Sequence, residues 1–309
     1  MSEELILHHY DSSPFGEKIR LALGLKNLRW RSVINSVVPP RPFLTPLTGG
    51  YRRIPVLQIG ADIYCDTHLI LRTIDRLRPD APSLFANKTT EPLCWWWDKA
   101  TFAPAVAIWA SFVGDKLPKE FIDDRKTFAP GFELNKEASG ANLSLHVQHI
   151  NAHLVWLIDM LADGRPFLLG EPSALDVTAY HTLWLVKQNC GEGAATLLPD
   201  LYQPGVLLSW FERVAAFGHG TREALTQEQA FEIAKQATPV EPNYISQNID
   251  NEWEIGDKLR IVPDDTGRVP VEGTLVAADR HEMVLRISDE KTGNINVHFP
   301  RAGFEVTRA

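Results

Sequence analysis

Three short pieces in the first seventy residues carry side chains that could do chemistry together: Ser12-Ser13-Pro14-Phe15-Gly16, Arg53-Ile54-Pro55-Val56 and Asp66-Thr67. The first sets a hydroxyl at a helix start, since Ser is a favoured N-cap and Pro a favoured first helical residue. The second sets a Pro near the start of a strand, where it can hold an exposed stretch of backbone. The third sets an acid–hydroxyl pair at a second helix start. A hydroxyl donor, an open backbone edge and an acid–hydroxyl pair together suit a thiol-bearing peptide.

The elements that must position them follow from spacing and turn residues. Leu5 to Tyr10 reads as a buried strand ending at Asp11-Ser12-Ser13. In the helix opened by Pro14, Phe15, Ile19, Ala22 and Leu23 share a face, leaving Lys18 and Arg20 to point to water. Trp30 to Ile34 is a second strand. Four prolines between Val38 and Tyr51 leave a loop with at most a short helix. Ile54 to Ile59 and Ile63-Tyr64 form a hairpin around Gly60-Ala61-Asp62, and a cis bond is expected before Pro55. Thr67 to Leu77 has helical spacing and stops before Pro79.

From Thr90 to Ala237 the pattern is helical throughout, with a capping box at Ser173-Ala174-Leu175-Asp176. Thr238 to Asn243 reads as a linker. Beyond it, segments such as Leu259–Ile261, Val269–Val276, Met283–Ile287 and Ile295–Phe299 suggest a small antiparallel β-barrel of five short strands. The expected organisation is an α/β domain over 1–80, an all-helical domain over 88–237 and the barrel over 245–309.

The 309 residues are 44% hydrophobic and 23% charged, enough for a sizeable core, and the net charge of -8 gives no footprint for nucleic acid or anionic membranes. The last 65 residues hold eight Lys/Arg against twelve Asp/Glu, so the barrel pattern does not suggest nucleic acid either. Cys65, Cys94 and Cys190 are too few and too scattered for a disulfide framework or a thiolate metal site. With no secretory signal and no bilayer-length apolar run, the expectation is a soluble, cytoplasmic protein.

Ser13-Pro14-Phe15 after the first strand, Gly50-Tyr51-Arg52-Arg53-Ile54-Pro55-Val56-Leu57, Tyr64-Cys65-Asp66-Thr67 before a helix, and the capping box together resemble the glutathione transferase family over roughly residues 1 to 235. The resemblance implies a thioredoxin-like domain followed by an all-helical domain, glutathione as co-substrate, no metal, and a homodimer. With Ser before the Pro, the chain looks like a serine-type member. Ser13, with Ser12 in reserve, would then donate to the glutathione sulfur. A free thiol of this kind has a pKa of about 8.5, so stabilising the thiolate is the main task. Ile54, ahead of Pro55, would pair with the cysteinyl backbone like an added strand. Asp66 would meet the γ-glutamyl amino group and Thr67 its carboxylate. Arg53, or else Arg52 or Arg41, would take the glycyl carboxylate.

The implied activity is addition of the thiolate to a small apolar electrophile, walled by Phe15, Trp95, Phe102 or Trp109. Two alternatives are a glutathione-fold protein that binds a partner without catalysis, and a glutathione-dependent isomerase or lyase. Tyr10 is a further hydroxyl near the strand end. Plainer readings exist for other residues: Trp95-Trp96-Trp97 as core or interface, His146, His149 and His153 as a solvated helix face, and at most one of His8 and His9 lining the site.

Overall fold

The computed structural model describes residues 4–131, 134–242 and 253–309. Asn243 and the start of the 245–309 domain lie outside the described residues. The chain opens with β1 (Leu5–His9), α1 (Pro14–Leu25), β2 (Arg29–Ile34), a short α2 (Leu44–Leu47), the β3 (Val56–Ile59) and β4 (Asp62–Cys65) hairpin, and α3 (Thr67–Leu77). Strand β1 pairs parallel with β2 and antiparallel with β3. The period-two alternation of β1 assigns its two faces. Leu5 and Leu7 enter the main core with α1, α3 and the helical domain, whereas Ile6 packs with Val33, Leu225 and Ala230 on the opposite face.

The helical part comprises α4 (Thr90–Val113), α5 (Lys119–Phe128), α6 (Lys136–Ala141), α7 (Leu143–Leu161), α8 (Ala174–Cys190), α9 (Pro199–Tyr202) and α10 (Val206–Ala215). Helix α8 is buried almost all round. Asp176 fixes its start, accepting from Ser173 N–H and Oγ, Leu168 N–H and the Trp210 indole at 2.8–3.0 Å. The run is not helical throughout: β5 (Thr221–Ala224) returns to pair parallel with β2 before α11 (Gln227–Gln236) covers the second face of the sheet. Its sequence, Thr-Arg-Glu-Ala, is exposed at every position and so shows no apolar alternation.

The last part supplies β6 (Lys258–Pro263), β7 (Val271–Ala278), β8 (Glu282–Asp289), β9 (Gly293–Pro300) and β10 (Phe304–Arg308). These five strands pair antiparallel among themselves, and β9 pairs parallel with β4. One ten-stranded sheet results, in the order β10-β6-β7-β8-β9-β4-β3-β1-β2-β5. Among the described residues no pairing closes the five strands into a barrel. The seam is polar where β4 meets β9: Asp62 accepts from Asn296, His298 and Val240 N–H at 2.8–3.0 Å.

Candidate functional site

The strand registers gather the three motifs. His8 lies opposite Val56, and Val56 opposite Cys65. The last residues of β1, the first of β3 and the last of β4 therefore lie at the same end of the sheet, and the chain leaves that end through Ser13, enters it through Ile54-Pro55 and leaves it again through Asp66-Thr67.

Ser13 is the N-cap of α1, with its Oγ accepting from Gly16 N–H at 2.9 Å. It is 1% exposed, whereas the neighbouring Ser12 is exposed. The Ile54–Pro55 bond is cis. Ile54 is half-buried and belongs to neither ladder of the hairpin, and its main-chain groups have no partner among the described residues. Asp66 caps α3 by accepting from His68 N–H at 2.9 Å. Its φ of +74° lies in a region an L residue rarely adopts, a conformation typical of functional turns.

Lys18 and Arg20 do not point to water. Helix α1 is packed both by the sheet with α3 and by α8, so a second face is buried and its charges must be paired. Arg20 bonds to Glu17 at 2.6 Å and to Asp11 C=O at 2.9 Å. Lys18 Nζ, fully buried, donates to Asp98 Oδ2 at 2.7 Å and to Thr67 Oγ1 at 3.2 Å. Asp98 also accepts from His181 Nε2 at 2.8 Å and lies 3.2 Å from His68 Nε2, within ion-pair distance but outside hydrogen-bonding geometry. Burial pushes the Asp98 carboxyl up, yet Lys18, His181 and His68 together hold it well below the usual carboxylate range. This network ties the start of α3 to α1, α4 and α8. Its one visible sequence signal is Asp98-Lys99 in the middle of a helix whose only other charged residue is Glu91.

Phe15 lies 4.7 Å, ring to ring, from both Phe102 and His181. Trp95 packs instead on His68, and Trp109 on Phe121. Of the candidate wall residues, Phe15 and Phe102 are in contact. Trp97 is core, donating to Thr182 at 3.1 Å, while Trp96 meets Trp156 and His153 on the surface. His8 bonds to Gln58 and His9 to Ser32 and Arg20, and burial brings their pKa values down to about 4 and about 3. Both are neutral, satisfied core residues.

The three candidate arginines have distinct surroundings. Arg41 spends its donors on the carbonyls of Ser36, Val37 and Arg52 at 2.7–2.8 Å. Arg52 pairs with Asp124. Arg53 reaches Asp66 at 3.6 Å and pairs with Asp265 and the Thr266 carbonyl in the turn between β6 and β7. Asp264-Asp265-Thr266-Gly267 is legible as a turn, but its place beside Arg53, 212 residues away, is set by the tertiary fold. Among the described residues no cluster could hold a metal ion, and no helix is long and apolar enough to cross a membrane.

A family model described as glutathione S-transferase, N-terminal domain, matches residues 7–82. The crystal structure of a GST-like protein from Pseudomonas syringae is 36% identical, aligns over 100% of both chains and superposes with a TM-score of 0.79. The chain belongs to the glutathione transferase family. The alignment with the Pseudomonas protein also takes in the C-terminal strands. A probable glutathione S-transferase, parA, from Nicotiana tabacum is 26% identical over 133 residues, 41% of this chain and 60% of the relative. The chain spans about 43–61% of the length of the curated relatives it matches. A glutathione S-transferase of Ceriporiopsis subvermispora, solved in complex with glutathione, shares the fold over 70% of this chain and 98% of its own, at 19% identity and a TM-score of 0.53. In this family member a thioredoxin-like domain is followed by a helical domain, whose expected range also holds β5, and the additional strands extend the thioredoxin-like sheet.

Proposed function

We propose that the chain binds glutathione at the end of the sheet where the termini of β1, β3 and β4 meet and adds its thiolate to a small apolar electrophile. The observation that carries this reading is the register that brings Ser13, Ile54-Pro55 and Asp66-Thr67 to one end of the sheet. Because Ser13 Oγ already accepts from Gly16 N–H, its own O–H is left to donate to a sulfur anion, with the N-terminal end of α1 adding favourable dipole. Ile54 offers unpaired main chain for the cysteinyl backbone, Asp66 a carboxylate for the γ-glutamyl amino group, and Thr67 a hydroxyl and N–H for its carboxylate. Phe15 and Phe102 form the apolar wall for the electrophile. Homodimerisation belongs to the same proposal, tested by light scattering.

The burial of Ser13 favours a second reading, a glutathione-fold protein that binds without turnover. Retention on immobilised glutathione followed by conjugation of a chloroarene separates the two. The transferase reading expects turnover, a loss of roughly 10- to 100-fold in Ser13→Ala for one hydrogen bond to a charged sulfur, and near-parent rates in Ser12→Ala. Equal rates in parent and Ser13→Ala would remove Ser13 from the mechanism, and a collapse confined to Ser12→Ala would transfer the role to Ser12. Binding without conjugation by the parent would select the second reading.

A further inference from the structure

The turn Asp264–Gly267 reaches across all three parts of the molecule at the γ-glutamyl end of the proposed site. Arg53 donates through Nε and Nη2 to the Thr266 carbonyl at 2.9 and 2.6 Å, and through Nη2 to the Asp265 carboxylate. Its remaining nitrogen, Nη1, stands 3.6 Å from Asp66 Oδ2. Lys99 of α4 bonds to Asp265 at 2.7 Å and to Asp264 at 3.2 Å. Backbone bonds fix the turn itself: Gly267 N–H to Phe128 C=O at 2.6 Å and Asp264 N–H to Gly303 C=O at 3.0 Å. Gly267 is required there, with φ at +59° and an added Cβ falling 2.6 Å from the Phe128 ring.

Three of the five Arg53 N–H donors are spent on the turn, and Nη1, which carries the other two, faces Asp66, so the cation sits at the γ-glutamyl end of the proposed site. Arg53 and Lys99 stand among three carboxylates, Asp66, Asp264 and Asp265, while Arg268, beside Asp264 and Asp265, is neutralised by Glu305, so the cluster carries an excess of one negative charge. A further carboxylate would enlarge the negative excess, whereas an ammonium would cancel it. Asp265 remains reachable, with its side chain 39% exposed.

We infer that Asp265 is a specificity-determining residue of the peptide site: together with Asp66 it selects ligands whose γ-glutamyl amino group is free and charged, and Arg53 positions the two carboxylates instead of receiving the glycyl carboxylate. The turn between β6 and β7 thereby forms a wall of the site. This inference rests on the glutathione reading above.

The test is calorimetric titration of the full-length chain with glutathione and with N-acetylglutathione, whose amino group is neutral. The parent should prefer glutathione, and Asp265→Asn should shrink that preference about tenfold by loss of a charge-assisted contact. Asp265→Glu should restore most of it, and Glu272→Gln, which removes an acid paired with Arg260 on the same domain, should leave it unchanged. An unchanged ratio in a folded Asp265→Asn overturns the inference while the glutathione reading stands. If Asp265→Asn does not fold, the parent's own ratio decides, since equal affinity for the two ligands overturns the inference. Absence of glutathione binding by the parent overturns both readings.

Discussion

Replacing Lys18 by Met should expose how the charges beneath the site are balanced. The Met side chain keeps the apolar stem and removes the ammonium that donates to Asp98 at 2.7 Å and to Thr67 at 3.2 Å. Breaking a buried ion pair from one side costs about 3–5 kcal/mol, and because His181 and His68 remain beside Asp98 we expect about 2–4 kcal/mol. Acid sensitivity should move as well. A carboxyl held below its unfolded value of 3.8 stabilises the fold above that pH and loses the contribution as pH falls through the depressed value. In the parent, Asp98 therefore gives way only well below pH 3.8, whereas in Lys18→Met burial is opposed by the histidines alone and the loss begins at higher pH. Urea unfolding followed by far-ultraviolet circular dichroism across an acid series reads both effects. Lys18→Met/Asp98→Leu should recover at least half of the loss, because the unpaired charge is gone. The reasoning is refuted if Lys18→Met lies within about 0.5 kcal/mol of the parent, or if the double variant is no more stable than the single one.

Three further outcomes are expected. Asp176→Ala leaves Leu168 N–H, Ser173 N–H and the Trp210 indole N–H without their acceptor and should cost about 3 kcal/mol or more by thermal or urea unfolding. Gly24→Ala would place a Cβ 2.1 Å from Gly218 O and 2.5 Å from Phe217 O, both backbone, and should cost about 1–3 kcal/mol by the same assay. At the β4–β9 seam, burial lowers the His298 pKa, but Asp62 at 3.0 Å and Glu282 at 3.5 Å raise it above 6.5 overall. A raised histidine adds stability that is complete below pH 6.5 and lost as pH rises through the raised value. An NMR titration of the His298 ring should have its midpoint above 6.5, and His298→Phe should abolish this pH dependence.

What the sequence made legible was local. The Ser13 cap, the cis bond before Pro55, the Asp66 cap and the span of α3 each follow from rules acting over a few residues. The burial of Lys18 and Arg20 was hidden because a single helix shows which face is most apolar, not how many faces are covered. Strand β5 carries no apolar alternation, and its place is set by the open edge of β2. The continuation of the sheet through β9 depends on which edge the C-terminal strands find, a choice made between residues far apart in the chain. For the same reason Lys18–Asp98 and Arg53–Asp265, separated by 80 and 212 positions, could not be paired beforehand. Arg53 was expected at the glycyl end of the ligand; the turn that occupies it directs our proposal to the γ-glutamyl end.

The ionisation of bound glutathione tests the central claim most directly. Titrating the ultraviolet absorbance of the thiolate in the complex should give a midpoint well below the free-thiol value of about 8.5, with Ser13→Ala returning it toward that value. A parent complex whose thiol titrates like free glutathione, or a parent that binds none, would contradict the account.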